Sequence, residues 1–274
     1  MTPLILVTND DGIDSPGLRA AVEAVVELGD IVVVAPSNQQ TSMSRSLCGA
    51  PDEYLRPIDY KVNDHSVTAY HADCSPARLV LHAMEVLFKD KKPDLVVSGI
   101  NYGENLGSNL SISGTVGAAV QAASAGVRSI AVALQTEIGN HHKHAKLDWR
   151  AAQHFTALFA GKMIEHEHLP WDADILNINV PSNATAETKW TITKQSKEPY
   201  FSNLIENSTP SSKLGDGKCV IALDEESLDP SSDIYAIYRE HIVSVTPLSI
   251  DITSRVDINK FEALLRRKVK KENA

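Results

Sequence analysis

Cysteine is scarce in this sequence. Cys48, Cys74 and Cys219 are the only three, they stand far apart, and no CxxC pair occurs. That spacing excludes a disulfide framework or a zinc knuckle and leaves them as small buried apolar residues. Long apolar runs are missing as well. No stretch approaches the ~20 residues that a membrane span needs. The amino terminus enters a strand-like run without a basic flank or a small-residue cleavage site, so the expected location is the cytoplasm. Basic charge is in deficit, with 26 Lys and Arg against 35 Asp and Glu and a formal net charge of −9. A general nucleic-acid coat needs a basic face, so that class is excluded, whereas a small phosphate ester held through a metal is not. Three signatures of other chemistries are absent. No GxGxxG follows the first apolar run, no Walker lysine follows a glycine loop, and no G-x-S-x-G elbow occurs.

What is present is an alternation of strands and helices. Residues 4–8, "LILVT", form a short apolar run of the kind found in buried parallel strands. "SPGLRAAVEAVVEL" follows as a helix, with Ser15 as its cap, Pro16 at the first position and Gly29 as its stop. "IVVVAP" is the next strand, which completes a β-α-β unit. "SPARLVLHAMEVLF" repeats the Ser-Pro start at Ser75 and Pro76. "DLVVSGI", "GTVGAAVQAASAG", "SIAVAL", "DWRAAQHFTALFAGKMIEH" and "DILNINVP" continue the rhythm as strand, helix, strand, helix and strand. The expected fold is α/β, a Rossmann-like doubly wound and mostly parallel sheet. Residues 51–64 have no clear place in this scheme.

After Pro181 the rhythm changes. "KWTITKQ", "CVIAL", "DIYAIYRE" and "IVSVTPL" read as strands with no helices between them, and "DINKFEALLRRKVKKE" reads as a closing helix whose basic end is solvated. The expected organisation is a catalytic core over 1–185, an extended hairpin region serving oligomerisation over 186–248, and a C-terminal helix and tail over 249–274.

Chemistry concentrates where strands end. "TNDDG" places Asp10 and Asp11 side by side just past the first apolar run. Successive strand residues face opposite ways, so both can reach one ion only if the chain turns, which Gly12 permits. A hard divalent cation with oxygen ligands is the natural partner for two such carboxylates. The loops after the next two strands carry "SNQQTSMSRS" and "INYGENLGSNLSISGT", so Thr41 and Asn101 can add neutral oxygens. Ser113, Gly114 and Thr115 fall at the first turn of a helix, where free amides and the helix dipole favour a phosphate. Asn9 and Asn105 belong to the same phosphate-binding group. Met43 and Tyr102 flank the crevice and read as packing residues. His141, His142 and His144 read as an exposed loop, and His154, His166 and His168 as surface or core-edge positions.

These motifs in this order resemble one family. "TNDDGIDSPGL", "VVVAPSNQQTSMSRSL", "PDLVVSGINYGENLG", "SGTVGAA", "LNINVP" and "VTPLSIDIT" are similar to the SurE survival proteins, metal-dependent 5'/3'-nucleotidases, over nearly the whole chain. The resemblance implies a swapped C-terminal extension and a homo-oligomer, dimer or tetramer. It also implies one divalent cation per subunit, Mg2+ or Mn2+, on Asp10, Asp11, Thr41 and Asn101, with threonine standing where the family has serine. The implied reaction is hydrolysis of a nucleoside monophosphate by water, with Asp10 or Asp11 as the catalytic carboxylate. The family's G-T-P-x-D-C is here "DCSPARLV", with Cys74 in place of glycine and Arg78 in place of aspartate. A catalytically weakened nucleotide- or metal-binding module of the same fold is the alternative.

Overall fold

The computed structural model describes residues 2–141, 144–166 and 169–267. His142, His168 and the basic tail from residue 268 onward lie outside the described residues.

The first strand, β1 (Leu4–Thr8), is followed by helix α1 (Pro16–Val25) and strand β2 (Asp30–Pro36). Ser15 caps α1 by accepting from the Gly17 amide, and Pro16 opens the helix. Gly29 is not the helix stop. The helix ends at Val25, and Gly29 lets the chain pass against the Pro3 carbonyl, 2.2 Å from where a Cβ would stand. Residues 51–64, unplaced from sequence, include β3 (Arg56–Val62), which forms a hairpin with β4 (His65–Ala72) across a turn at Asn63, φ 50°. The Asn-Asp pair at the turn and the alternating burial of the strands were the signals.

Helix α2 (Pro76–Val86) starts after Ser75, but Ser75 does not cap it. Its hydroxyl donates to the Ser46 carbonyl and accepts from the Cys48 amide, fastening the loop after β2. Strand β5 (Leu95–Tyr102), helix α3 (Gly114–Ser124), strand β6 (Ser129–Leu134), helix α4 (Arg150–Glu165) and strand β7 (Ile175–Val180) follow. The later strands are β8 (Trp190–Ile192), β9 (Phe201–Leu204), β10 (Lys218–Ile221) and β11 (Val243–Leu248).

"DIYAIYRE", expected as a strand, is helix α5 (Asp233–Tyr238). Ser232 caps it by accepting from the Tyr235 amide, and Ile234, Ala236 and Ile237 are its buried residues. The Ser-Asp start outweighs the β-branched residues. The closing helix, α6 (Ile258–Arg266), has no buried residue.

Nine described strands make one sheet in the order β3-β4-β2-β1-β5-β6-β7-β11-β8. From β4 to β7 all neighbours pair in parallel, while β3 runs antiparallel to β4 and β11 antiparallel to β7; β8 pairs in parallel with β11. The fold is thus α/β with a mostly parallel sheet. β8 and β11 join this sheet, and only β9 and β10 stand apart as a two-stranded hairpin. β11 belongs in the sheet because its residues alternate: Val243 and Val245 are buried in the main core, while Ser244 and Thr246 both bond the Thr193 hydroxyl.

Alternation also sorts the two faces. Ile5 and Val7 of β1 pack with α1 and α4 residues, whereas Leu6 packs with α2 and α3 residues. The chain leaves β1 towards β2 on one side and returns through β5 on the other. That reversal opens a crevice at the carboxyl ends of β1 and β5, where open α/β sheets hold ligands.

Candidate active site

Asp10 and Asp11 lie in this crevice, 5% and 3% exposed. The turn that brings them together is built by Asn9 and Gly12. Asn9 Nδ2 donates to the Gly12 carbonyl at 3.0 Å, and its Oδ1 accepts from the Gly12 amide at 3.2 Å. Gly12 takes φ 100°, a conformation that disfavours a side chain. The Asp10 carbonyl accepts from Gln40 N, which ties the loop to the end of β2. Asn9 is therefore spent on the shape of the loop; it does not line the cavity.

Asp10 sits against the start of α3. The Thr115 hydroxyl donates to Asp10 Oδ1 at 2.5 Å, and the Thr115 amide also bonds the carboxylate. Gly114 is there for space, because a Cβ would stand 2.7 Å from Asp10 Oδ2. Asp11 accepts from Gln39 Nε2 at 2.9 Å and from the Tyr102 amide at 3.2 Å. Burial pushes both carboxyls above their ordinary range, and for Asp11 the charge of Asp10 adds to it. Among the described residues no lysine or arginine pairs with either carboxylate.

These carboxylates open on a cavity of about 470 Å³ that is also lined by Thr41, Asn101, Asn105 and Ser113. Six of the nine residues singled out from the sequence thus converge. Asn101 donates its amide nitrogen to the Gly103 carbonyl at 2.7 Å. Ser113 caps α3 through the Val116 amide. Thr115 and Gly114 stand behind Asp10 and do not line the cavity. A second cavity of about 350 Å³ lies around Arg128 and Trp171 and shares no residue with this one.

Asn105 has supports that sequence reasoning missed. Its amide donates to Asn179 Oδ1 at 2.7 Å, and its carbonyl accepts from Asn177 Nδ2 and Asn179 Nδ2. Two asparagines spaced by two in the otherwise apolar β7 were the available signal. Asn105 Nδ2 is itself buried with no hydrogen-bond partner among the described residues.

The expectation for the histidine segment holds only in part: His144 is exposed, whereas His141 is only partly exposed. His141 lines the cavity, and its carbonyl accepts from Gln39 at 2.7 Å. His144 Nε2 lies 3.3 Å from the Asp11 carbonyl and stacks on Tyr102. The Tyr102 ring packs edge-on against Trp149, and its hydroxyl donates to the Ala145 carbonyl. This segment is docked on the aspartate loop. Cys74 and Arg78, in contrast, lie off the cavity: Cys74 packs under Gly49, and Arg78 holds the Leu47 carbonyl. Of the three cysteines expected to be buried, only Cys74 is; Cys48 and Cys219 lie in loop and hairpin positions and are exposed.

The arrangement fits a divalent cation by its chemistry. Two buried carboxylates without a lysine or arginine partner need positive charge, and a hydroxyl and an amide oxygen stand beside them. Among the described residues no group of three or more His, Cys, Asp or Glu side chains assembles, so the neutral oxygens are needed to complete a shell.

Comparison with known proteins agrees with this picture. Residues 5–202 match the family described as survival protein SurE. The chain is 39% identical to the 5'-nucleotidase SurE of Thermococcus gammatolerans over 264 residues, covering 95% of each chain. It is 36% identical to the 5'-nucleotidase SurE of Methanocella arvoryzae, covering 97% of this chain and 99% of the relative. The crystal structure of the SurE protein from Aquifex aeolicus superposes with a TM-score of 0.73 at 30% identity, covering 96% of this chain and 100% of that one.

Proposed function

From the premise that this chain belongs to the survival protein SurE family, we propose that it is a 5'-nucleotidase, acting also on 3'-monophosphates, that releases phosphate by attack of water. The observation that carries the reading is the pairing of two buried, uncompensated carboxylates with a buried, unpartnered Asn105 amide in one cavity. The carboxylates call for a cation, and the amide is a donor suited to a phosphate oxygen.

Asp10, Asp11, Thr41 and Asn101 would hold the cation, Mg2+ or Mn2+. Asn101 offers Oδ1, since its nitrogen is committed to Gly103. When bound, a divalent cation supplies positive charge to the phosphate oxygens and acidifies the attacking water. Asn105 and the Ser113 end of α3 receive the non-bridging oxygens. Thr115 acts through Asp10, fixing its carboxylate in one orientation. Asp10 takes the proton of the attacking water at a carboxylate oxygen, and Asp11 is steadied by Gln39 and Tyr102. Cys74 and Arg78 leave the cavity lining intact, so the departure from the family's "GTPxDC" gives no reason to expect a weakened module. The family resemblance further supports a homo-oligomer, dimer or tetramer, and the scarcity of cysteine suits a cytoplasmic setting. Among the described residues no helix is long and apolar enough to cross a membrane.

The test is phosphate release from 5'-AMP, 3'-AMP and glycerol 2-phosphate with Mg2+, Mn2+ or excess chelator. Release that needs the cation, and that falls by about 1,000-fold or more in Asp10→Asn with an unchanged circular dichroism spectrum, supports the reading. Undiminished release in chelator, or in the variant, overturns it.

A further inference from the structure

The cavity is larger than a phosphate and a cation require. Its volume of about 470 Å³ lies within the range of sites that enclose a whole small molecule. Beyond the carboxylates and Asn105 the lining changes character, to Ile138, His141, Phe201 and the hairpin positions Gly217 and Cys219. His141 and Phe201 meet edge to face, with ring centroids 5.3 Å apart and planes at 81°.

Both rings are held from behind. Asn109 clasps the Phe201 backbone, accepting from its amide at 2.8 Å and donating to its carbonyl at 3.0 Å. Tyr200, fully buried, lies edge-on against the Phe201 ring with centroids 4.8 Å apart. His141 is fixed through its carbonyl by Gln39, whose amide also donates to Asp11. Gly103 leaves room for the imidazole, because a Cβ there would stand 2.5 Å from His141 Nε2. Two rings at near right angles form a corner. A flat heteroaromatic group stacked on one of them presents its edge to the other.

We infer that this corner seats the nucleobase of the substrate, with Phe201 as the stacking face and His141 as the ring that meets the base edge. The inference rests on the nucleotidase reading and deepens it: esters that carry an aromatic base are favoured over those that do not. The His141 ring sets the width of the corner, so it can sort bases by their size and shape. Phe201, purely apolar, holds any of them. Stacking of one base on an aromatic side chain corresponds to roughly 5- to 100-fold in binding.

The experiment compares kcat/KM for 5'-AMP with that for glycerol 2-phosphate under the same cation, in the full-length chain. In Phe201→Ala the ratio of the two falls at least fivefold, through KM for AMP, and Phe201→Trp restores it. In His141→Ala the ratio of AMP to CMP changes while the stacking preference persists. An unchanged AMP-to-glycerol-phosphate ratio in Phe201→Ala, or one that Phe201→Trp fails to restore, overturns the base seat. Should the wild type release phosphate from none of these esters, the nucleotidase reading falls, and adenosine binding by calorimetry decides the base seat separately. Binding weakened by Phe201→Ala supports the seat; absent or unaltered binding overturns it.

Discussion

The cavity has one wall at the carboxyl ends of parallel strands and a second wall on a two-stranded hairpin. On the first, Asp10 and Asn105 are each held by neighbours that are themselves held. Thr115 donates to Asp10, and its own carbonyl accepts from Ser98 Oγ at 2.7 Å. Asn105 is gripped by Asn177 and Asn179. On the second, Phe201 stands on a ladder of four residue pairs, too short to be stable alone. It is tied in by loops and side chains instead of by sheet pairing: the Asn109 clasp, the Ser108 amide on the Glu198 carbonyl, the buried Tyr200 packed on Leu106 and Ile234, and the buried Asp233, which accepts from Gly107 N and Ser196 N, each at 2.9 Å. The contrast assigns rigid positioning to the wall that does chemistry and leaves recognition on a wall that can change without disturbing it.

Two substitutions put that division at risk. The larger effect is expected from Gly114→Ala. The new Cβ would stand 2.8 Å from Asp10 Cβ and 2.7 Å from its Oδ2, so either α3 or the carboxylate must shift. A displacement near 1 Å costs on the order of 100-fold in kcat. The loss should be equal for AMP and glycerol 2-phosphate, because the damage is confined to the chemical wall. A loss on AMP alone would show that the two walls are coupled.

Asp233→Asn should act more weakly and on the other wall. The carboxylate is buried and accepts from the amides of Gly107, Ser196 and Ile234. An asparagine turns one acceptor into a donor facing those amides, at a cost of about 1–3 kcal/mol. The hairpin loosens, and KM for AMP rises about three- to tenfold by the loss of part of the stacking. Steady-state kinetics on both esters checks this. An equal rise in KM for glycerol 2-phosphate would mean that Asp233 supports the whole cavity.

The same contrast explains what could be read from the sequence. The chemical wall sits at strand ends, and apolar runs, caps and a glycine mark those ends without any knowledge of long-range contacts. Asp10, Asp11, Thr41, Asn101, Asn105 and Ser113 were found in this way. The role of Thr115 was not, because a partner 105 positions away leaves no local trace; Asn9 bonds Gly12 only three residues on, a local turn that its place between the strand and the carboxylates disguised. Phe201 and His141 were missed for a related reason. Each lies in a polar stretch far from the other in sequence, and only the docking of the histidine segment on Gln39 and of the hairpin on Asn109 brings them together. In the fold, the helix at 233–238 was lost because β-branched and aromatic residues suggested a strand, while Ser232 and Asp233 capped a helix. The hairpin at 56–72 was lost because an expectation of strictly alternating units left it no place.

The smallest effect is a shift in stability, and it separates the walls by charge. Burial holds the folded pKa values of Asp10 and Asp11 above the unfolded ones. Below about pH 3 the carboxyls keep their protons in both states and burial costs little. As pH rises, the unfolded chain releases these protons first, so the folded state binds more protons and the metal-free protein loses stability. Asp11→Asn removes the carboxyl whose rise is reinforced by its neighbour's charge. In chelator at pH 8.5 this variant should melt on the order of 2–4 °C above the wild type, and the gap should close as pH falls towards about 3. With Mn2+ present the order reverses, because the wild type gains a ligand that stabilises only its folded state and the variant has lost half of the carboxylate pair. Phe201→Ala, on the uncharged wall, should show neither the pH trend nor the reversal. Thermal melts across pH with and without cation make the check. A wild type that melts as high as Asp11→Asn in chelator at pH 8.5 would mean that the aspartate pair is already neutralised within the protein and that no cation is needed to hold it.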